Sequence, residues 1–475
     1  MAKDKSGKEQ KTQGQILAEK LCFNQKNSWD EVDKKAEKDV EAFAAAYRQM
    51  LDRGKTEREF CAVSVELLKK AGFTEAGKSK RIKPGDKIYQ LIRGKALIAA
   101  VVGKRRCAEG FNILGAHVDS PRLDLKQNPL YEDSELALLD THYYGGIKKY
   151  QWAAIPLALH GVFVNLDGKE TSVCIGEDPD DPVFTITDLL PHLAQEQMQK
   201  KASDVIDGED LDVLVGSRPY NDEKVKEKVK LRILSILNEK YGIDERDFVS
   251  AEIEVVPAFN ARDLGFDRSM IGAYGHDDRC CAYPALRALL EVAAAKKPPE
   301  KTAICYLSDK EEIGSYGNTG AHSHGFENFA AFLAGEADVR AALSNSSMLS
   351  ADVNAAFDPA YASFFEKRNT SFFGKGLVLT KYTGSRGKSG ASDANAEFCA
   401  KVRALMLRNK VPVQFAEIGK VDKGGGGTIA FHAAKYGMDV LDCGLAVLSM
   451  HSPFEVISKI DLYAAFKGYT AFLAN

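Results

Sequence analysis

The sequence predicts an α/β protein interrupted by a β-rich insertion. Three observations carry that reading. Apolar runs of strand length alternate with helical patterns up to His117 and resume after Ala258. Between about residues 123 and 262 the texture changes to short alternating strands and acidic loops such as GEDPDDP. Metal-ligating side chains fall at strand ends and adjoining turns, where α/β enzymes place their chemistry.

Taken in order, Val32, Val40, Phe43, Tyr47 and Met50 recur at three- and four-residue steps and predict a helix over 30–53. A second helix spans 57–71 and stops at Gly72. Apolar runs 96–102 and 111–118 read as strands, the second ending in GAHVDSPRLDLK. The insertion offers strands 162–166 and 172–175 and a charged helix over 224–241. Next come a turn GAYGHDDR, a helix 281–295 and a strand 302–307 ending in SDKEEIGS. A helix 326–343, strands 348–353 and 377–382, a helix 394–409 and a strand 413–418 follow. A helix 428–436, a strand 440–444 and a terminal helix 454–473 complete the series, with no internal repeat.

A length of 475 residues suits two or three domains. With 45% hydrophobic and 28% charged residues the chain is neither disordered nor collagen-like. Lys+Arg 64 against Asp+Glu 67 leaves −3, with no asymmetry pointing to nucleic acid or a membrane as partner. The nine cysteines form no CxxC pair and read as reduced thiols of a cytoplasmic protein. The polar, lysine-rich start lacks the apolar core of a signal peptide, and residues 1–14 are expected to dock loosely.

Five short motifs put ligand side chains at strand ends or turns: His117 and Asp119; His276-Asp277-Asp278-Arg279; Asp309-Lys310-Glu311-Glu312; Asp352; and His451 in MHSP. A lone His-x-Asp is usually structural, and adjacent carboxylates are common on solvated faces. Their convergence on one sheet end carries the argument. In a strand, Asp119 shares a face with His117 and could fix its tautomer. Nitrogen and oxygen donors without thiolate suit hydrolytic zinc, manganese or cobalt. Two metals need a bridging carboxylate, and one further carboxylate must stay unligated to take a proton. Glu311 and Glu312 can divide those roles.

GAHVDSPRLDLK, HDDRCCAYPALRALLE, DKEEIGSYGNTGA, MLSADV, GASDANAEF and MHSPFEVISKIDLYAAFKGY resemble the aspartyl aminopeptidase and vacuolar aminopeptidase I family, over about residues 15–473 and nearest its bacterial branch. The resemblance implies a mixed-sheet α/β/α metallopeptidase domain, residues 1–122 with 263–475, and an inserted β-rich dimerisation domain, 123–262. It implies two divalent ions per subunit, zinc first, with manganese or cobalt as alternatives. His117, Asp277 and Asp352 would hold one ion; Asp277, Glu312 and His451 the other. Glu311 would be the general base, Asp119 would orient His117, and the Asp277-Asp278 peptide would be cis. The implied activity is release of single residues from peptides with a free N-terminus, in a tetrahedral dodecamer built from dimers. The rivals are a deacylase or carboxypeptidase on the same scaffold, and a non-catalytic shell or cargo protein.

Other features weigh less. Arg386-Gly387-Lys388-Ser389 imitates a P-loop, but Tyr382 stands where its first glycine belongs. Gly424–Gly427 opens a helix whose bare amides could hold a substrate carbonyl or carboxylate. His322 and His324 read as a loop pair outside the metal set, and Cys280-Cys281 as small buried residues. The family resemblance makes His192 a substrate contact across a subunit boundary. One family branch prefers acidic first residues and another neutral or hydrophobic ones; Lys381 and Arg386 are candidate basic contacts.

Overall fold

The computed structural model describes residues 11–23, 25–77, 82–335 and 338–475. Most of the loosely docked start expected over 1–14 lies outside them. From Lys11 onward the chain enters a capped helix, Gln13–Leu21, that buries none of its residues.

A nine-stranded mixed sheet organises the fold. Its order is Thr74–Glu75, Lys87–Ile92, Ala96–Val101, Thr302–Ser308, Phe111–His117, Ser347–Ser350, Asp439–Gly444, Leu377–Thr380, Val413–Phe415. The four central strands, Thr302–Ser308 to Asp439–Gly444, run parallel, so their C-termini share one end of the sheet. Every residue of Phe111–His117 and Thr302–Ser308 is buried, as expected of strands covered on both faces. Period-two alternation splits their side chains between two layers. Leu114, Ala116 and Cys305 pack with Phe43, Phe60, Leu286 and Tyr469 of four helices on one face. Ile113, Ile304 and Met348 pack with Phe329, Leu343 and Ile429 on the other. The result is three layers, α/β/α.

A second sheet is antiparallel throughout, in the order Glu170–Ile175, Leu157–Val164, Glu252–Pro257, Arg122–Asp133, Leu136–Tyr144, Val213–Gly216, Thr185–Ile186. It has its own apolar cluster around the fully buried Trp152, joined by Val229, Ile233 and Leu237 of the helix Lys228–Tyr241. A five-stranded sheet, Arg262–Leu264, Met270–Ala273, Glu455–Ser458, Ala446–Leu448, Asn354–Ala355, joins distant parts of the chain. No helix among the described residues is long and apolar enough to cross a membrane.

Several elements differ from the sequence expectation. The helix over 326–343 divides into Gly325–Ala334 and Val339–Ser344 because Gly335, at φ 82°, leaves helical space. The terminal helix begins at Lys459, not residue 454: Glu455–Ser458 is a strand paired with Met270–Ala273. The helix over 428–436 shrinks to Ala430–Ala434. In the second sheet the strands are longer than foreseen, Arg122–Asp133 running to 12 residues.

Candidate metal centre

The shared end of the parallel strands gathers the polar motifs. His117 closes its strand opposite Ser308. Beyond Ser308 the chain passes Lys310, at φ 65°, into a single 3-10 turn, Glu311–Ile313. Asp352 follows the strand Ser347–Ser350. Asp277 is the second residue of the helix His276–Ala294, where Asp277 and Asp278 keep non-helical dihedrals and the peptide bond between them is cis.

His117, Asp277 and Asp352 each bring a donor atom within 4.8 Å of the others, and so do Asp277, Glu312 and His451. Asp277 is the common corner. Its Oδ1 lies 3.2 Å from His117 Nε2 and its Oδ2 3.2 Å from His451 Nε2. Asp352 Oδ1 is 3.9 Å from His117 Nε2, and Glu312 Oε2 is 3.4 Å from His451 Nε2. Glu311 belongs to neither set.

The surroundings fix these side chains. His117 Nδ1 is 3.0 Å from the Asp119 carbonyl oxygen and 3.3 Å from its Oδ1. His451 Nδ1 donates to Gly146 O at 2.9 Å, so its Nε2 is the nitrogen that faces the carboxylates. Asp119 also accepts the amides of Glu311 (3.1 Å) and Glu312 (3.2 Å) and the Tyr144 hydroxyl (2.8 Å). Glu455 Oε2 accepts the Asp277 amide at 3.0 Å while its Oε1 accepts the His451 amide at 2.7 Å. Gly145, at φ 74°, and Gly146 admit this packing: a Cβ on either would sit 3.3 Å from Glu312 Cβ or 3.4 Å from His451 Nδ1.

Charge is poorly balanced here. Burial pushes the Glu311 carboxyl up to about 7 against the pull of His117. It drives Glu312 and Asp352 well above the carboxylate range. Burial would raise Asp277 too, but His117 and His451 hold it low. Burial works against protonation of the two histidines, yet Asp119 and Asp277 raise His117, and Asp277 and Glu312 lift His451 to about 10. Asp277 Oδ1, Asp278 Oδ1 and Glu312 Oε1 are buried without a hydrogen-bond partner. Of these, the Asp277 and Glu312 oxygens stand among imidazoles in sets without a thiol, a donor chemistry that fits divalent zinc-type cations.

The other candidates fall elsewhere. His192 is exposed. His322 meets the Tyr316 ring at a tilt (4.7 Å) and the His432 ring edge-on (5.4 Å), and exposed His324 pairs with Glu327 at 2.9 Å. The glycine run packs on the neighbouring loop: Gly384 N–H donates to Gly426 O at 2.6 Å, and a Cβ at Gly425 would collide with Gly384 O. Lys381 and Lys388 both pair with Asp393, and Lys388 covers the Tyr382 ring at 3.8 Å. Arg386 lines a cavity of about 390 Å³ with those loops, which none of the metal-type donors borders. Sequence reasoning missed Glu455, Tyr144 and the Gly145-Gly146 pair. Glu455, four residues beyond His451, could have been found as an acid in an apolar stretch.

In sequence and in fold the chain is similar to known aminopeptidases. The family described as "Aminopeptidase I zinc metalloprotease (M18)" matches residues 50–473. A "Probable M18 family aminopeptidase 1" of Clostridium acetobutylicum is 55% identical over 465 residues, covering 96% of this chain and 99% of its own length. The crystal structure of an M18-family aminopeptidase from Thermotoga maritima superposes with a TM-score of 0.91 at 46% identity, covering 95% of this chain and 99% of that one. The Saccharomyces cerevisiae mApe1 dodecamer shares the fold, with a TM-score of 0.74 at 24% identity and coverage of 90% and 95%.

Proposed function

The chain belongs to the M18 family of aminopeptidase I zinc metalloproteases, and on that premise we propose how its residues divide the work. It is a metal-dependent aminopeptidase acting on peptides. His117, Asp277 and Asp352 would hold one divalent ion, and Asp277, Glu312 and His451 a second, zinc in the first instance with manganese or cobalt as alternatives. When bound, such ions lower the pKa of water and polarise a carbonyl. Asp277, with one oxygen toward each imidazole, would be shared by both sets. Asp119 orients His117 and, through two amides, sets the turn that separates the two glutamates.

Glu311 is the general base. Its half-buried carboxyl lies outside the ligand sets, so an oxygen remains free to take the proton of the attacking water. The same carboxyl then returns that proton to the leaving amine. A substrate with a free N-terminus enters with its first residue at this end of the sheet.

The assembly we propose is a homo-oligomer of the kind named for the yeast relative, a dodecamer built from dimers. Residues 123–262 form the dimerisation domain, and His192 reaches a neighbouring active site. The exposed Val183, Leu189, Leu190, Leu193 and Met198 around His192 support this, since such surface favours cover. Light scattering on a chain lacking 123–262 checks it; an unchanged assembly would refute it. Nine free thiols support a cytoplasmic setting.

The observation that carries the proposal is Asp277, with each oxygen 3.2 Å from a different imidazole. Metal content per chain, measured with turnover of aminoacyl fluorogenic substrates, tests it. A chain that turns over peptides with one ion, or none, contradicts the two-ion arrangement.

A further inference from the structure

A second group of metal-type donors stands apart from the catalytic centre and shares no residue with it. Strands Leu157–Val164 and Glu170–Ile175 pair antiparallel with His160 directly opposite Cys174, so register alone fixes their approach. Cys174 Sγ lies 3.8 Å from His160 Nε2. Glu59 comes from the helix Glu57–Lys70. Its Oε2 closes the capping box on the Thr56 amide at 3.1 Å, which leaves Oε1 2.8 Å from His160 Nδ1. Glu177 Oε1 is 3.0 Å from the other ring nitrogen, Nε2. Lys55 holds Glu177 at 2.6 Å and is itself fixed by the carbonyls of Pro257 (2.8 Å) and Phe259 (3.0 Å).

Glu59, His160 and Cys174 each place a donor atom within 4.8 Å of the others. Tetrahedral zinc, with bonds of about 2.0–2.3 Å, sets its donors roughly 3.3–3.8 Å apart. We propose that Glu59, His160 and Cys174 form an additional divalent-cation site, suited to zinc-like ions, that ties the antiparallel sheet to the helix Glu57–Lys70. One thiolate, one imidazole and one carboxylate make a borderline-soft donor set. With the ion on Nδ1, the nitrogen nearer Glu59, the other ring nitrogen faces Glu177, which holds its proton and orients the ring. His160 is buried, and Cys174, which is exposed, opens the site to solvent. Lys55 does not forbid the ion. Uptake of a dication with loss of the thiol proton and of one imidazolium proton leaves the net charge of the cluster unchanged.

The two proposed catalytic sets contain no cysteine, so sulfur reports on the additional site alone among these. Full-length protein, stripped with a chelator, is reloaded with cobalt(II) and followed in the near ultraviolet, where thiolate-to-cobalt charge transfer absorbs. The wild type develops the band and Asp352→Asn keeps it. Cys174→Ser, a conservative change at an exposed position, loses the band and binds one zinc fewer per chain. Buried Asp278, Cys280 and Cys281 are another thiol-bearing group among the described residues, so Cys281→Ser is the control and retains the band. A wild type without the band, or a band that survives in Cys174→Ser, overturns the proposal.

Discussion

Two buried acid clusters lie close together in this molecule, joined through Tyr144, and they solve the same electrostatic problem differently. In one, Arg122 contacts Asp124 at 2.8 Å, Glu254 at 3.0 Å and Glu57 at 3.5 Å, with its guanidinium 3.9 Å over the Tyr144 ring. Burial drives the Glu254 carboxyl well above its usual range, against the pull of Arg122. That cluster carries its own compensation, a permanent cation. In the other, Asp277, Glu312, Asp352 and Glu311 face two imidazoles, and among the described residues no arginine or lysine pairs with them. Burying charge without a partner is expensive. An arginine stands among the acids of one cluster; among the described residues none pairs with the acids of the other, and the proposed ions would supply the compensating charge there.

Removing the bridge has the largest effect expected. Asp277→Asn keeps the shape but loses the carboxylate, so both ions should dissociate and turnover should fall to background. Metal analysis of the purified variant checks this, and retention of both ions would break the contrast. Next comes Glu311→Gln, which should keep both ions yet lose about 10²–10⁴-fold in kcat, the usual worth of a general base. Its neighbour Glu312→Gln should instead lower the metal content. If the two variants exchange phenotypes, the roles of the glutamates are reversed.

Arg122→Met probes the self-compensated cluster. Stranding buried carboxylates typically costs about 3–5 kcal/mol, read as a shift of the urea midpoint, and added zinc should not restore it. Chelation of the wild type makes the opposite comparison: the lost stability should return with zinc, by about 2.7 kcal/mol at a hundredfold excess over Kd. Equal rescue in both cases would erase the distinction between the clusters. The smallest effect belongs to Tyr144→Phe. It removes one hydrogen bond to Asp119, worth about 1 kcal/mol, and should lower kcat a few-fold with KM unchanged.

How much of this was legible depended on distance along the chain. His117, Asp352 and the Glu311-Glu312 pair could be read because each follows a continuous apolar run, and a parallel strand announces its own end. His451 and Asp277 lie in short polar turns beside strong helical or strand patterns. Tyr144, Gly145 and Gly146 could not be read, because a separate sheet delivers them to the site and no local pattern encodes that meeting. Glu455 was hidden differently. The stretch 454–473 reads as one amphipathic helix until Met270–Ala273 claims Glu455–Ser458 as a sheet partner, a long-range pairing that overrides local preference. The split at Gly335 shows the reverse, a local conformational preference that the helical periodicity concealed.

The hydrogen bond from His451 to Gly146 O has a mechanical meaning. Gly146 lies just past the strand Leu136–Tyr144 of the antiparallel sheet, whereas His451 belongs to the turn beside the five-stranded one. That bond ties the two sheets to each other at the site. A load applied at the far rim of the antiparallel sheet would be transmitted to the imidazole as a torque about its Cβ–Cγ bond. The ring's aim therefore acts as a strain gauge for whatever grips that sheet.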